Sequence, residues 1–237
     1  GIKELARISA ARPDSAAHRA RLALGLLEVG LGDGAGHVAR EAVTLDERSV
    51  AARYVLGHVL SHDLLGRFLA PGYDRAGAME ALRLVKSLDP GHVRARAELA
   101  VLRSADERGL RFADPAGIEA TVAEYRSLRD DVGVDAFDDQ LLEALFRAGR
   151  FEEVLLEAER ARRSLLRDAR VVAAVMALGR GLEGADRALA ELEIPDRAVP
   201  LVETAAATEL AAVGRYQEAR ALLDRLERRG AALGPLA

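Results

Sequence analysis

The sequence predicts an all-α protein made of about six antiparallel helix pairs. The clearest pair lies between Gln140 and Ala161, where Leu141 and Leu145 recur at helical spacing and Gly149 ends the pattern. A second apolar stripe follows at Phe151, Val154, Leu155, Ala158 and Ala161. Because neither helix is long enough to be stable alone, the pair is expected to stack on further copies.

A second copy of this pattern supports the same fold class. Between Thr204 and Leu226, a leucine, a glycine and an aromatic residue stand 65 residues after their counterparts in the first pair. These residues are Leu210, Gly214 and Tyr216. The offset is about two periods of roughly 34 residues. Composition agrees: 50% of the residues are hydrophobic but 4% are aromatic, so small and aliphatic side chains suited to close helix packing dominate.

Several short motifs recur in phase with this period. They are Leu56-Gly57 with Leu60 on a first helix, Gly149 to Phe151 and Gly214 to Tyr216 at turns, and Leu88-Asp89-Pro90 at a closing position. With these motifs the chain resembles the tetratricopeptide repeat family, although the tryptophan of the family pattern is absent throughout. The resemblance implies a right-handed superhelical solenoid that binds proteins or peptides, and it implies no catalytic chemistry.

The predicted array extends over residues 1–237 as a single domain. It consists of a half repeat at 1–13, repeats at 15–47, 49–90, 92–131, 135–167, 168–194 and 196–229, and a frayed tail at 230–237. Leu22 lies 34 residues before Leu56, which places the first two full repeats in register. Ser15 is predicted to cap the first helix of the first full repeat.

The second full repeat carries an insertion at 61–77. Its closing Leu88 comes 43 residues after the corresponding Leu45, which is about nine residues more than the period of roughly 34. A lengthened first helix, followed by a turn at Pro71 and Gly72, is expected to accommodate the extra residues.

The candidate binding surface begins with Tyr54, His58 and His62, which stand at i, i+4 and i+8 on one first helix. In the repeat register this stripe faces the groove formed by the first helices rather than the second helix. Further groove residues are Arg94 and Val101 on the next first helix, and Asp139, Glu143 and Phe146 on the fourth. Such mixed charge is expected to select a partner more than to tighten its binding. The alternative is that Tyr54 and His58 pack against the insertion.

Phe68 and Leu69, both within the insertion, are predicted to form the rim of this surface, because insertions in repeat arrays often lie on the binding face. The alternative is that the inserted apolar residues seal a gap in the packing. The last helix, from Tyr216 to Arg228, has no polar capping helix after it. It is therefore a second candidate surface, open to self-association.

The predicted function is that of a non-enzymatic protein–protein interaction module that binds a peptide or partner helix in the groove. The alternative is a regulatory or sensor arm of a larger multidomain ATPase, transcription regulator, or secretion or motility machine. A third hypothesis is an enzyme or metalloprotein. The family includes chaperone adaptors that clamp a carboxyl terminus with lysine and asparagine. That clamp is not expected here, because the corresponding positions hold Ala20, Leu24, Tyr54 and His58.

Composition argues against several classes of partner. The chain has no cysteine, which removes disulfides, thiol nucleophiles and thiolate metal sites. Its net charge of −4 argues against a nucleic-acid partner. No apolar run approaches the ~20 residues needed to span a bilayer, so no membrane insertion is expected. The cytoplasm is the favoured location. Because the chain starts at Gly1 rather than Met, an upstream signal or anchor leaves a periplasmic or membrane-tethered location open.

No metal or cofactor is expected. His58 and His62 share a helix face, but the sequence lacks the glutamate of the zinc-protease motif and an identifiable third ligand. Five aspartates, Asp130, Asp131, Asp135, Asp138 and Asp139, crowd one helix start in an order that favours helix capping over calcium binding. The glycines between Gly30 and Gly36 are expected to form a helix-helix turn rather than a phosphate loop.

Overall fold

The computed structural model describes residues 1–133 and 136–230. Within those residues it contains 13 helices, and their only strand-like feature is an isolated bridge between His62 and Phe68. The all-α prediction is therefore confirmed. The predicted frayed tail beyond Gly230, the start of the repeat at 135–167 and Asp135 of the aspartate cluster lie outside the described residues.

The chain divides into two compact units, Gly1–Glu124 and Tyr125–Ala237. The helices that begin in the first unit are α1 (Ile2–Ala11), α2 (Ala16–Glu28), α3 (Gly32–Leu45), α4 (Val50–Leu60), α5 (Arg75–Leu88), α6 (Val93–Ser104) and α7 (Pro115–Val132). Helix α2 packs on α3 and α4 packs on α5, while α4 also contacts α2 and α3. Each of these pairs therefore contacts the next one along the chain, as in a repeat array.

Alanine side chains line the contact between the first two pairs. Ala23 on α2, Ala35 and Ala39 on α3, and Ala52 on α4 are all fully buried. Because alanine carries no bulk beyond Cβ, it lets neighbouring helices approach closely. The third pair is also closed by a direct contact, in which the Thr121 hydroxyl on α7 donates to the Ala100 carbonyl on α6 at 2.8 Å.

Five helices of the first unit are preceded by a residue whose side chain accepts a hydrogen bond from a backbone N–H group. These caps are Ser15 for α2, Ser49 for α4, Asp74 for α5, His92 for α6 and Asp114 for α7. Each bond satisfies one of the amides that the first turn of a helix leaves unpaired. The predicted cap at Ser15 is confirmed. The helix-helix turn is confirmed at Gly30, but Gly32, Gly34 and Gly36, which were predicted to share it, lie inside α3.

The second unit contains the remaining six helices. They are α8 (Asp138–Arg147), α9 (Phe151–Ala158), α10 (Leu165–Ala177), α11 (Gly181–Glu191), α12 (Val199–Ala212) and α13 (Tyr216–Arg228). Helix α8 packs on α9, α10 on α11, and α12 on α13, while α10 also contacts α8 and α12. The turns predicted at Gly149 and Gly214 are confirmed, since these glycines have φ values of 73° and 78°, which favour glycine.

Six helix pairs thus follow α1 within the described residues. The right-handed superhelical path of the whole array stays a prediction. Across the same part of the chain, no helix combines the length and the apolar character that crossing a bilayer demands.

The insertion does not lengthen α4, and that prediction is wrong. Helix α4 ends at Leu60, and the chain then turns instead of continuing as a helix. The reason is the carboxylate of Asp63, which accepts hydrogen bonds from the amides of Leu65 at 3.0 Å and Arg67 at 2.8 Å. A side chain that binds nearby amides offers the backbone an alternative to helical hydrogen bonding.

Two helix starts in the second unit also differ from expectation. Helix α10 begins at Leu165, before the predicted repeat start at 168, because the Ser164 side chain caps it. Helix α8 carries Asp138 in its first turn, as the helix dipole favours, but its cap residue is Phe137 and no side chain caps it. Asp138 instead accepts a hydrogen bond from the amide of Arg162 at 2.8 Å.

Candidate functional site

An aromatic strip runs along α4 and the insertion of the first unit. It consists of Tyr54, His58, His62, Phe68 and His92. The ring centroid of His58 lies 6.0 Å from that of Tyr54 and 4.8 Å from that of His62. Phe68 extends the row at 5.2 Å from His62, and His92 joins it at 4.9 Å from Tyr54. The stripe predicted on α4 is therefore part of a continuous row of rings.

The sequence of α4 places this strip beside a buried face. Ala52, Val55 and Val59 are buried in the core that α4 shares with the first helix pair. Tyr54 and His58 stand one turn apart on the helix and are only half-buried. Phe68 is 47% exposed. The rings are thus packed along one edge and accessible along the other.

His62 is held in a defined orientation just beyond the end of α4. Its Nδ1 lies 2.7 Å from the carbonyl oxygen of His58, which can only accept, so Nδ1 carries the proton. Burial lowers the pKa of His62, which keeps the ring uncharged at neutral pH and leaves Nε2 as a hydrogen-bond acceptor. The contact with Phe68 shows that this end of the stripe does pack against the insertion.

Glu98 on α6 ties the strip to the next helix pair. Its carboxylate oxygens lie 3.1 and 3.2 Å from Nδ1 of His58. The hydroxyl of Ser61 donates to the same carboxylate at 2.8 Å, and it also lies 2.9 Å from the carbonyl of Gly57. Glu98 is largely buried, with 10% of its side chain exposed. Sequence reasoning missed both Glu98 and His92 as members of the site.

Ser61, His58 and Glu98 are the residue types of a hydrolase triad, but their contacts do not match one. The Ser61 hydroxyl bonds to Glu98 and to a backbone carbonyl, not to a histidine nitrogen. Ser61 is also fully buried. A nucleophilic serine needs a base within hydrogen-bond reach and access to substrate, so this trio is a structural tie between α4 and α6.

His58 and His62 lie close enough together to suggest a pair of metal ligands. Among the described residues, no group of three or more histidine, aspartate or glutamate side chains is arranged to hold a metal ion. Both Nδ1 atoms are already engaged, one by Glu98 and one by a backbone carbonyl. The absence of a specific metal stays a prediction for experiment.

Two further predicted groove residues lie on α6, in the same unit as the strip. Arg94 is exposed in the first turn of α6. The pKa of Tyr54 is raised, mainly by burial and further by the charge of Glu98. The nearby positive charge of Arg94 opposes this rise. Val101 is half-buried and packs against the core that α5 and α6 share. Arg94 is therefore the exposed cation beside the strip, and Val101 contributes mainly to packing.

The remaining predicted groove residues belong to the second unit. Asp139 is half-buried and accepts a hydrogen bond from the Ser164 hydroxyl at 2.8 Å, which joins the starts of α8 and α10. Glu143 is half-buried on α8. Phe146 is fully buried and meets the ring of Phe151 edge-on at 5.1 Å. The assignment of Phe146 to an accessible groove is therefore wrong, because the tight turn folds α9 over this side chain.

The insertion rim also needs one correction. Phe68 is exposed, as a rim residue should be, but Leu69 is buried in the core with Leu60 and Tyr73. The backbone turns at Leu69, with a φ of 51°, and its side chain enters the core while the ring of Phe68 contacts His62. Leu69 thus seals the packing of the first unit, and Phe68 belongs to the aromatic strip.

The chain is similar to solved structures at a low level of sequence identity. No protein-family model matches the chain, and no curated protein matches it. Among solved structures, it is similar to one titled "Structure of Naa15/Naa10 bound to HypK-THB", with 20% sequence identity and a TM-score of 0.47. The match covers 97% of this chain but 34% of that chain. No family is assigned on a similarity of this size.

Proposed function

We propose that the protein is a non-enzymatic interaction module of the tetratricopeptide repeat type, which binds a peptide or partner helix on the aromatic strip of the first unit. The observation that carries the proposal is the row of five touching rings, part of which is open to solvent. A row of this kind extends past a single helix, since its members come from α4, the insertion and the start of α6.

Physical chemistry supports binding at such a row. Aromatic side chains offer a large contact area and lose little conformational entropy when a partner covers them, so they are enriched at binding hot spots. Here the rings already restrain one another, and His58 is fixed by Glu98. The strip is therefore ordered before any partner arrives, which lowers the entropic cost of association.

Charge suggests the kind of partner. Glu98 is largely buried and bonded to His58 and Ser61, and the lowered pKa of His62 leaves that ring uncharged. Arg94 is the exposed charge whose field reaches Tyr54. The proposed partner therefore carries an apolar or aromatic side chain for the rings, followed by an acidic group for Arg94.

The test is selection of peptides from a displayed random library on the full 237-residue chain, followed by affinity measurement with labelled peptides. The double variant Tyr54→Ala, Phe68→Ala is expected to weaken binding by about tenfold or more. The matched control is Tyr216→Ala in the second unit, where the ring is 69% exposed. It is expected to change affinity by less than about twofold, as exposed substitutions usually do.

Thermal unfolding of both variants separates lost binding from lost folding. Arg94→Gln is expected to lower the affinity for acidic peptides and to leave the affinity for neutral peptides unchanged. Equal affinity of wild type and the double variant, at matched stability, would show that the strip is not the binding site.

A further inference from the structure

The first unit exposes a second apolar surface, whose inserted half lies in the chain between His62 and Phe68 of the aromatic strip. It is formed by two residues of the α2–α3 turn and two of the insertion. These are Val29, Leu31, Leu64 and Leu65, with exposed fractions of 56%, 53%, 66% and 63%. We call them the apolar edge. Folded proteins rarely leave large apolar side chains together in water unless a partner covers them.

The two segments of the apolar edge are in direct backbone contact, which brings the four exposed side chains to the same region of the first unit. A Cβ atom at Gly32 would lie 2.2 Å from the carbonyl oxygen of Asp63, and one at Gly66 would lie 2.8 Å from that of Leu27. Neither approach leaves room for a side chain. Gly66 also has a φ of 74°, a conformation that favours glycine.

The inserted half of the apolar edge is rigidly held. The Asp63 carboxylate accepts hydrogen bonds from the backbone amides of Leu65 and Arg67 and also from Nε of Arg67, the last at 2.7 Å. These three bonds lower the pKa of the Asp63 carboxyl. The turn that presents Leu64 and Leu65 is therefore ordered in the free protein, and a partner would not have to order it.

Charges beside the apolar edge indicate which partner fits. Glu28 precedes Val29 at the end of α2, and Asp33 follows Leu31 in the first turn of α3; both are exposed. Among the described residues, neither takes part in an ion pair. Arg67, two residues after Leu65, is already paired with Asp63. Glu28 and Asp33 are therefore the unpaired charges next to the apolar edge in the sequence.

We propose that the apolar edge docks an amphipathic helix of a partner protein, whose apolar stripe is flanked by lysine or arginine. The apolar stripe covers the four exposed side chains, and its basic flanks meet Glu28 and Asp33. The same two carboxylates repel an anionic lipid surface. The inference does not rest on the proposed function, because none of the four residues belongs to the aromatic strip, although Leu64 and Leu65 lie between His62 and Phe68 in the chain.

A designed helical peptide provides the probe. It has leucines on one face, lysines on both flanks and a single tryptophan within the apolar face. Because the chain contains no tryptophan, the fluorescence of the probe reports its own burial. Binding is expected to shift the probe emission to shorter wavelength. A peptide with the same apolar face and glutamate flanks is expected to bind at least about tenfold more weakly, since its charges meet Glu28 and Asp33.

Two sets of variants locate the contact. The double variant Leu64→Ser, Leu65→Ser is expected to lower the affinity for the lysine-flanked probe by about tenfold or more. The matched control replaces Leu156 and Leu201 by serine; both are 62% exposed in the second unit. That control should bind like wild type. The double variant Glu28→Gln, Asp33→Asn is expected to lower the affinity for the probe by about three- to tenfold and to reduce the salt dependence of that affinity.

Several results would overturn the proposal. One is equal binding of the two peptides to the wild type, and another is undiminished binding by the Leu64, Leu65 variant. Binding of phosphatidylserine vesicles in place of the peptide would assign the apolar edge to a membrane. A dimer in sedimentation velocity that the Leu64, Leu65 variant abolishes would assign it to a second copy of the chain. Circular dichroism of each variant confirms that it is folded.

Discussion

Two helix pairs of this protein place an aromatic residue of the first helix in opposite environments. In the α4/α5 pair, Tyr54 is half-buried and its ring belongs to the aromatic strip. In the α8/α9 pair, Phe146 is fully buried against Phe151. The two residues stand at different places on their helices: Phe146 lies next to the end of α8, where the tight turn at Gly149 brings the start of α9 onto it, whereas Tyr54 lies six residues before the end of α4. What packs against its part of the helix thus decides whether each ring is core or surface.

Each unit contains a buried glutamate, and the pKa values of the two are shifted in opposite directions. Glu124 in the first unit accepts hydrogen bonds from Lys86 at 2.6 Å and Arg96 at 2.7 Å. Burial raises its pKa, but these cations together outweigh burial, and the pKa is lowered. Glu203 in the second unit is fully buried and bonded to Arg225. There burial outweighs the charges of Arg225 and Arg229, and the pKa is raised.

The largest expected effect is on stability, and it tests whether Phe146 and Tyr54 differ in burial. Phe146→Ala should lower the free energy of unfolding by about 3 to 5 kcal/mol, because it leaves a cavity in a packed core. Tyr54→Ala should cost less, because water reaches the vacated space on the strip. Chemical denaturation of both variants measures the difference. Equal costs would mean that Tyr54 is a core residue rather than a surface one.

Leu145 tests the packing of the α8/α9 pair more narrowly. It is fully buried, as its place in the repeat predicts. Leu145→Ala is expected to cost about 2 to 5 kcal/mol in the free energy of unfolding. Leu156→Ala, at an exposed position of α9, is the control and should cost about 0.5 kcal/mol or less. An unchanged denaturation midpoint with an unchanged m-value for Leu145→Ala would show that the predicted repeat register is wrong.

The buried glutamates are expected to respond to pH with opposite sign. Glu124 has a lowered pKa in the folded state, so its contribution to stability is present above the unfolded carboxyl pKa and is lost as pH falls. Glu203 has a raised pKa, so its contribution is present at low pH and is lost as pH rises through that value.

Replacement of each glutamate by glutamine measures this difference. Glu124→Gln should cost about 1.5 to 3 kcal/mol at neutral pH, as removal of charged hydrogen bonds does, and less in acid. For Glu203→Gln, the free energy of unfolding relative to wild type should rise as pH increases from acid to neutral. Parallel pH profiles for the two variants would contradict the assignment of the two pKa shifts.

The smallest expected effect concerns metal. The protein purified with zinc in the buffer and then dialysed is expected to retain no stoichiometric zinc in elemental analysis, because no third ligand joins His58 and His62 among the residues that the structure describes. His58→Ala with His62→Ala should leave the metal content unchanged. Stoichiometric zinc that this double variant loses would establish a metal site on the strip.

Local patterns in the sequence were sufficient to predict the helices. Leu141 and Leu145 repeat with the period of a helix, Gly149 and Gly214 end helices in a conformation that glycine adopts without strain, and Ser15 caps α2. Each of these signals depends on residues within a few positions of one another. The pairing of Tyr54 with His58 could be predicted for the same reason, since i and i+4 positions share a face of any helix, whereas His62 lies just beyond the end of α4.

Exposure and distant partners were decided only by the tertiary structure. Glu98 lies 40 residues after His58, and nothing near either residue in the sequence marks their contact. Phe146 is covered because α9 folds over it, and Leu69 is buried beside an exposed Phe68 at a turn of the backbone. A helical period tells which residues share a face, whereas burial depends on what packs against that face. The second property arises from side chains and backbone distant in the chain, such as the glycines that bring the insertion onto the α2–α3 turn.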